Sequence, residues 1–188
     1  MNTRNALLAA FAVLVIAQWA VPAGMILRRE ASMVRGNEFK LRVRPVDPYD
    51  AFRGRYVQLG FDPITVPPPD GVRVVPGQKA YALLKADSAG FVMVEAVTST
   101  APKDGDYLEV TLRPDANFGG TGSGRAQIVW PFDRYYMEET VAPAAERVYR
   151  DQASSTTAYV TVRVLNGTGV ITGLYLDGVP IEQKVREM

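Results

Sequence analysis

An uncharged and largely apolar run near the N-terminus constrains this chain more than any other feature. From Asn5 to Leu27 there is no charged side chain, and most residues are Ala, Leu, Val, Ile, Phe or Met. A helix of that length spans about 34 Å, which matches the roughly 30 Å hydrocarbon core of a bilayer. We therefore predict a transmembrane anchor over residues 1–29, followed by one water-facing domain over residues 30–188.

A cleaved signal peptide is the main alternative to a retained anchor. The apolar region of a signal peptide usually covers about 7–15 residues, and a weak cleavage pattern is present at Val21-Pro22-Ala23. The apolar run continues beyond that point to Leu27 and is closed by Arg28 and Arg29. Trp19 and these arginines are typical of a span that ends in the membrane interface. We therefore favour a retained anchor.

The residue types that are missing narrow the possible chemistry. The chain contains no Cys and no His, which removes disulfides, thiol nucleophiles, Ser-His and Cys-His systems, and most zinc sites. Carboxylate pairs, Lys and Tyr remain as catalytic groups, so the composition favours a non-enzymatic protein without a metal or a cofactor. No basic patch is interleaved with stacking aromatic residues, which argues against nucleic-acid binding.

Charge is distributed unevenly along the chain. Residues 28–55 contain eight Lys or Arg and four Asp or Glu, whereas residues 56–188 contain twelve and sixteen. The basic segment therefore follows the predicted anchor directly, where anionic head groups attract each basic residue by about 1 kcal/mol. A solvated segment with internal ion pairs explains the same pattern equally well.

Alternating apolar and polar residues predict a mainly β domain. In residues 38–44 three large apolar side chains share one face and charged side chains share the other, which is typical of a half-buried strand. Similar patterns predict further strands over residues 55–61, 79–86, 91–98, 107–113, 125–132, 158–165 and 169–176.

Turn and helix signals complete the predicted architecture. Asn166-Gly167 lies between two alternating runs and predicts a hairpin. The glycine-rich segment 119–124 leads into a strand and not a helix, so we predict a loop connection there and not a phosphate site. Residues 140–151 predict one short helix. The expected fold is a transmembrane helix followed by a β-sandwich or partly open barrel-like domain.

The densest group of distinctive residues lies within residues 44–61. It comprises Arg44, Pro45, Asp47, Pro48, Arg53, Gly54, Tyr56 and Leu59. Asp47 can cap a short helical turn, and Gly54 can supply its left-handed exit. In the strand that follows, Tyr56 faces away from the apolar positions. These residue types favour a role in supporting the fold, with a binding site as the alternative.

This segment resembles the signature of the GDYXXLXY family, which is named for Gly-Asp-Tyr-x-x-Leu-x-Tyr. Gly54, Tyr56 and Leu59 match the signature, whereas Arg55 stands in place of its Asp and Phe61 in place of its last Tyr. If that Asp is catalytic in relatives, this chain lacks the group.

Two later stretches extend the resemblance over most of the chain. Residues 134–139 are similar to the family's Tyr-Phe-x-x-Glu stretch, and residues 173–178 are similar to its closing hairpin. Members are membrane-anchored bacterial proteins without an established activity that tend to be encoded beside polytopic membrane proteins. The resemblance therefore implies a single-pass protein of the inner membrane with a periplasmic domain and a polytopic membrane protein as its partner.

We interpret the chain as a membrane-anchored periplasmic interaction domain, and two alternatives remain open. The candidate binding residues are Arg42, Arg53, Arg55, Tyr135 and Glu139. The arginines among them can form a site for an anionic lipid or ligand, which makes the protein a sensor. The other alternative is a carboxylate-dependent envelope hydrolase that uses Asp133, Glu138 and Glu139. Acidic residues before a helix also stabilise its N-terminus, so no catalytic residue is assigned.

Overall fold

A computed structural model describes residues 3–45, 56–69, 74–115, 125–152 and 156–187. Within these ranges the chain forms three helices and eleven strands. The helical turn predicted over residues 47–54 and the glycine-rich segment 119–124 lie outside the described residues.

The N-terminal helix, α1, runs without a break from Thr3 to Arg35. Its most apolar window of 18 residues has a mean hydropathy of 2.1, and none of that window is buried in the domain. At 1.5 Å per residue α1 is about 50 Å long, which exceeds the hydrocarbon core of a bilayer by about 20 Å. The predicted end of the anchor at Arg29 therefore falls inside α1, and the rest of the helix continues into the β domain.

The β domain consists of short antiparallel strands with two further helices. The strands are β1 (Asn37–Pro45), β2 (Tyr56–Phe61), β3 (Thr65–Val66), β4 (Gln78–Ala86), β5 (Val92–Thr98), β6 (Tyr107–Pro114), β7 (Ala126–Val129), β8 (Arg134–Tyr136), β9 (Ala158–Leu165), β10 (Thr168–Leu176) and β11 (Val179–Pro180). The helices are α2 (Ala142–Gln152) and α3 (Ile181–Arg186).

Two curved sheets form the body of the domain. One has the strand order β11-β10-β9-β1-β2-β8, and the other has the order β3-β7-β6-β4-β5. Isolated bridges join the two sheets, from Lys40 to Phe91 and from Leu108 to Gly167. The sheets together approach a closed barrel, which confirms the predicted mainly β, partly open barrel-like fold.

The apolar positions of the alternating strands form a single core. Leu41 of β1 lies opposite Val160 of β9, which lies opposite Leu174 of β10, and all three side chains are buried. Full burial of one such side chain stabilises the fold by about 1.5–3 kcal/mol. On α2, buried Ala145 and Val148 pack into the same core beside β2.

Most predicted elements are present, with local differences at their ends. The β9–β10 hairpin turns at Asn166 and Gly167, whose φ angles of 48° and 80° are those that a two-residue hairpin turn requires. The strand predicted over residues 125–132 ends at Val129, close to Pro131, which has no N–H to donate to a sheet. Helix α3 adds a second short helix that the sequence pattern does not indicate.

Candidate functional site

The end of α1 is seated directly on the β domain. Ser32 is fully buried, its hydroxyl donates to the Arg28 carbonyl at 3.0 Å, and the Gly36 N–H donates to the Ser32 carbonyl at 2.9 Å. A Cβ on Gly36 would collide with that same carbonyl oxygen and lie 3.0 Å from the Val164 nitrogen of β9. Only glycine fits this close approach, so α1 is fixed against β9 and β10.

Strand β9 also supplies a cap for the helix. The Arg163 guanidinium donates to the Met33 carbonyl at 2.6 Å, and its Nε lies 3.8 Å from a Glu38 carboxylate oxygen. Carbonyls in the last turn of a helix lack partners within the helix, and a cation there interacts favourably with the helix dipole. Arg163 therefore ties the helix end to β1 and β9 at once.

Strand β2, which is the described part of the signature segment, pairs with β8, which lies in the later similar stretch of residues 134–139. Tyr56 of β2 lies opposite Tyr136 of β8, and their rings meet edge to face with centroids 5.7 Å apart. The Arg134 guanidinium lies 4.9 Å from the centre of the Tyr56 ring. Leu59 is buried, and its N–H donates to the Asp133 carbonyl at 2.8 Å. Two segments about 75 residues apart thus form one surface.

Arg134 is held by groups that favour its charged form. A hydrogen bond to Tyr136 and the charge of Asp133, whose carboxylate lies 3.6 Å away, raise the pKa of Arg134. Beside these residues lies a cavity of about 360 Å³, which we call the motif cavity. Its lining includes Arg29, Phe132, Asp133, Arg134, Tyr135, Tyr136 and Ile171. The motif cavity therefore joins the signature surface to α1 through Arg29.

Tyr135 serves as a tie inside the domain. Its hydroxyl donates to a Glu182 carboxylate oxygen at 2.6 Å, which connects β8 with α3. Burial, followed by the interaction with Glu182, raises the pKa of Tyr135 well above its ordinary value. The hydroxyl therefore stays protonated as a donor, and this candidate binding residue holds two elements together.

The acidic residues of the hydrolase alternative lie on and beside the loop before α2. Asp133 lines the motif cavity, whereas Glu138 and Glu139 are exposed and lie outside its lining. The Glu138 carbonyl accepts from the Val141 and Ala142 N–H groups and so starts the helix. The three carboxylates do not converge on one cavity, and this arrangement does not favour carboxylate chemistry.

Arg42 lies on the exposed face of β1 and stacks on an aromatic ring. Its Cζ is 4.2 Å from the centre of the Phe91 ring, which in turn contacts Tyr159 edge to face at 5.6 Å. A small cavity of about 160 Å³ lies beside Arg42, Asp62 and Trp130. The guanidinium thus has an aromatic partner within the domain.

The structure describes only two of the remaining candidate residues. Arg44 is exposed on β1, and Pro45 lies opposite Leu59. The other signature and binding candidates, Asp47, Pro48, Arg53, Gly54 and Arg55, lie outside the described residues. Among the described residues there is no group of three or more His, Cys, Asp or Glu side chains that could hold a metal ion.

Comparison with known families decides the relationship. The family described as GDYXXLXY protein matches residues 18–174, which is most of the chain. The chain belongs to the GDYXXLXY family. The GDYXXLXY match begins within α1 and ends in β10, so the docked junction at Ser32 and Gly36 lies inside the matched region. No curated protein and no solved structure matched the chain.

The docked junction, where Ser32 and Gly36 contact the β domain, was not predicted from the sequence of this GDYXXLXY protein. The available signal was the pair of small residues Ser32 and Gly36, four positions apart and directly before the first strand. Small residues at that spacing share one side of a helix and allow another element to approach its backbone.

Proposed function

We propose that this chain is a single-pass protein of the bacterial inner membrane whose β domain faces the periplasm and binds an integral membrane partner. One observation carries the proposal, namely that α1 passes from its apolar segment into the domain without a break and is docked there at Ser32 and Gly36. Because α1 is docked on the β domain, the orientation of the transmembrane span determines the orientation of the domain. An interaction domain that must meet a partner in a fixed pose benefits from that coupling.

The surface of α1 supports membrane insertion. Within the apolar run its exposed large apolar side chains are Leu7, Leu8, Phe11, Val13, Leu14, Ile16, Trp19, Val21, Met25, Ile26 and Leu27. An exposed apolar surface of this extent is normally covered by lipid or by other transmembrane helices. The tendency of GDYXXLXY members to be encoded beside polytopic membrane proteins favours a helical membrane partner.

The proposed orientation draws on the length and composition of the domain. Arg4 flanks one end of the apolar run and Arg28 and Arg29 flank the other, so flanking charge does not choose a side. Long domains after a span translocate largely regardless of charge, and a chain without Cys is compatible with an oxidising compartment.

Extraction and protease access test the anchor and its orientation. We expect the full chain to stay with membranes in alkaline carbonate and its β domain to be digested when protease is added to spheroplasts. Intact inverted vesicles provide the matched control, in which the domain is protected. Release by carbonate would refute the span, and digestion in inverted vesicles alone would reverse the orientation.

Photo-crosslinking from α1 tests the membrane partner. A photoreactive residue at Phe11, Leu14 or Ile16, at native expression level, is expected to give one protein adduct that itself resists carbonate. Because a partner helix covers one side of α1, the yield should depend on the position of the label. The same residue at exposed Glu95 on β5 is the control. Adducts with lipid alone at every α1 position would count against a partner within the membrane.

A further inference from the structure

A cavity of about 540 Å³ lies against the last turns of α1, and we call it the anchor cavity. Its helix side is formed by Leu27, Arg28, Ala31 and Arg35. Its domain side includes Tyr81, Tyr107 and Glu109 together with the β9–β10 turn from Leu165 to Thr168. The anchor cavity therefore lies between the end of the apolar helix and strands β4, β6, β9 and β10.

Helical geometry brings two arginines to this cavity and directs a third elsewhere. Arg28 and Arg35 are two turns apart and project within about 20° of each other, at about 100° per residue. Arg29 projects about 100° away and lines the motif cavity instead. Ser32 projects between the two directions and makes the buried contact with the domain. The docked helix thus has one cavity on each side.

The anchor cavity carries uncompensated positive charge. Within the part of the chain that the structure describes, neither the Arg28 nor the Arg35 guanidinium forms a hydrogen bond or an ion pair. The Glu109 carboxylate is paired with Lys79 Nζ at 2.7 Å. Two guanidinium groups with free donors match the oxygens of a phosphate.

The anchor cavity also lies at the depth where phosphate head groups lie if α1 spans a bilayer. Leu27, the last residue of the apolar run, is 68% exposed and forms part of the cavity wall. The rings of Tyr81 and Tyr107 pack edge to face at 5.8 Å on the opposite wall. Amphipathic rings of this kind are enriched at membrane interfaces. The cavity therefore opens onto the apolar surface of the helix at one end and onto cationic groups at the other.

We propose that the anchor cavity binds the phosphate head group of an anionic phospholipid, whose acyl chains lie along the exposed apolar side chains of α1. The inference rests on the proposed membrane insertion of α1. A lipid fits better than free phosphate because the cationic wall is continuous with the apolar surface at Leu27. Arg28 and Arg35 hold the phosphate.

Native mass spectrometry of the full chain, extracted with phosphatidylglycerol or with phosphatidylcholine, tests this site. We expect retained phosphatidylglycerol in the wild type and binding weakened about tenfold by either Arg28→Gln or Arg35→Gln, because each change removes charge-assisted hydrogen-bond donors from the phosphate. Arg29→Gln is the matched control, because it removes the same charge from the neighbouring position on a different side of the helix. It should retain phosphatidylglycerol as the wild type does.

The possible outcomes distinguish failure of the proposed lipid site from failure of the proposed membrane span. Equal losses in Arg28→Gln and Arg29→Gln would show general surface attraction and would overturn the site. Inorganic phosphate that binds the lipid-free chain as tightly as phosphatidylglycerol does would assign the cavity to a free anion and overturn the lipid. A chain that stays in carbonate-washed membranes without a preference for phosphatidylglycerol refutes the site alone, whereas release by carbonate refutes the span on which it rests.

Discussion

Two tyrosines in the domain interior differ in whether their hydroxyl groups are paired. Tyr135 donates to Glu182, whereas the hydroxyl of Tyr149, which is 2% exposed, has no hydrogen-bond partner among the described residues. We expect Tyr135→Phe to lower the free energy of unfolding by about 1 kcal/mol and Tyr149→Phe to leave it unchanged or raise it by about 1 kcal/mol. Chemical denaturation of the full chain in detergent measures both. The two variants are controls for each other, and equal losses would contradict the assignment.

The same tyrosines predict a loss of stability at alkaline pH. Burial raises the pKa of Tyr149 and of Tyr135 well above the ordinary tyrosine value. In the unfolded chain both groups ionise near pH 10, but in the folded chain they stay protonated to higher pH. Their contribution to stability is therefore complete below about pH 10 and is lost as the pH rises toward the folded pKa.

Above pH 10 the slope for Tyr149 approaches about 1.4 kcal/mol per pH unit. We expect the Tyr135→Phe/Tyr149→Phe double variant to lose stability less steeply than the wild type across this range, as measured by denaturant midpoints. Because every other titratable group is common to both proteins, the difference between their two slopes is the deciding quantity. Identical slopes would mean that neither hydroxyl is held in its protonated form by the fold.

Single residues were predictable from the sequence only where local chemistry decided their role. Gly167 was predictable as a turn residue because its neighbour is Asn and its φ must be positive. The bond from Tyr135 to Glu182 joins residues 47 positions apart, and no periodicity relates them. The burial of Ser32 was equally unpredictable, because it depends on where β9 lies and not on the sequence of α1.

At the scale of elements, the pairing of β2 with β8 explains why the signature segment is distinctive. Tyr56 contacts both the Tyr136 ring and the Arg134 guanidinium, which partly covers a large side chain on the polar face of its strand. A double-mutant cycle with Tyr56→Leu and Arg134→Gln is expected to give a coupling of about 0.5–1 kcal/mol. The control cycle pairs Tyr56→Leu with Arg42→Gln on another ring and should give none. A coupling near zero in both cycles would mean that the contact between Tyr56 and Arg134 does not stabilise the fold.

Long periodic elements were predictable and short ones were not. Residues 158–165 alternate over their whole length and form β9 with the predicted bounds. Strand β8 has three residues, and β3 and β11 have two each, which is too few for alternation to be recognised. These strands exist because a neighbouring strand offers free backbone groups. The position of the motif cavity depends on β8, so that cavity could not be derived from the sequence.

At the scale of the whole molecule, closure of the sheets depends on contacts distant in sequence. The bridge from Lys40 to Phe91 and the bridge from Leu108 to Gly167 each join a strand of one sheet to a residue beside a strand of the other. Local propensity predicted the strands and a barrel-like form, but it contains no information about which edges meet. The same limit applies to the anchor cavity, whose walls come from α1, β4, β6 and the β9–β10 turn.

At the scale of the whole molecule, we expect the docking of α1 to fix the C-terminal part of the helix relative to the β domain, which is testable by spin labelling because the chain has no Cys. Labels at Ile26→Cys on α1, which lies between Pro22 and the junction, and at Glu95→Cys on β5 are expected to give one narrow distance distribution by pulsed electron paramagnetic resonance in lipid nanodiscs. Insertion of Gly-Ser between Arg35 and Gly36 displaces Gly36 from the Ser32 carbonyl that its N–H contacts, and it should broaden that distribution. The inserted variant keeps both labels and both folded parts, so it isolates the junction. A wild-type distribution as broad as that of the insertion variant would mean that the span is a flexible tether, and the fixed pose of the domain at the membrane would be lost with it.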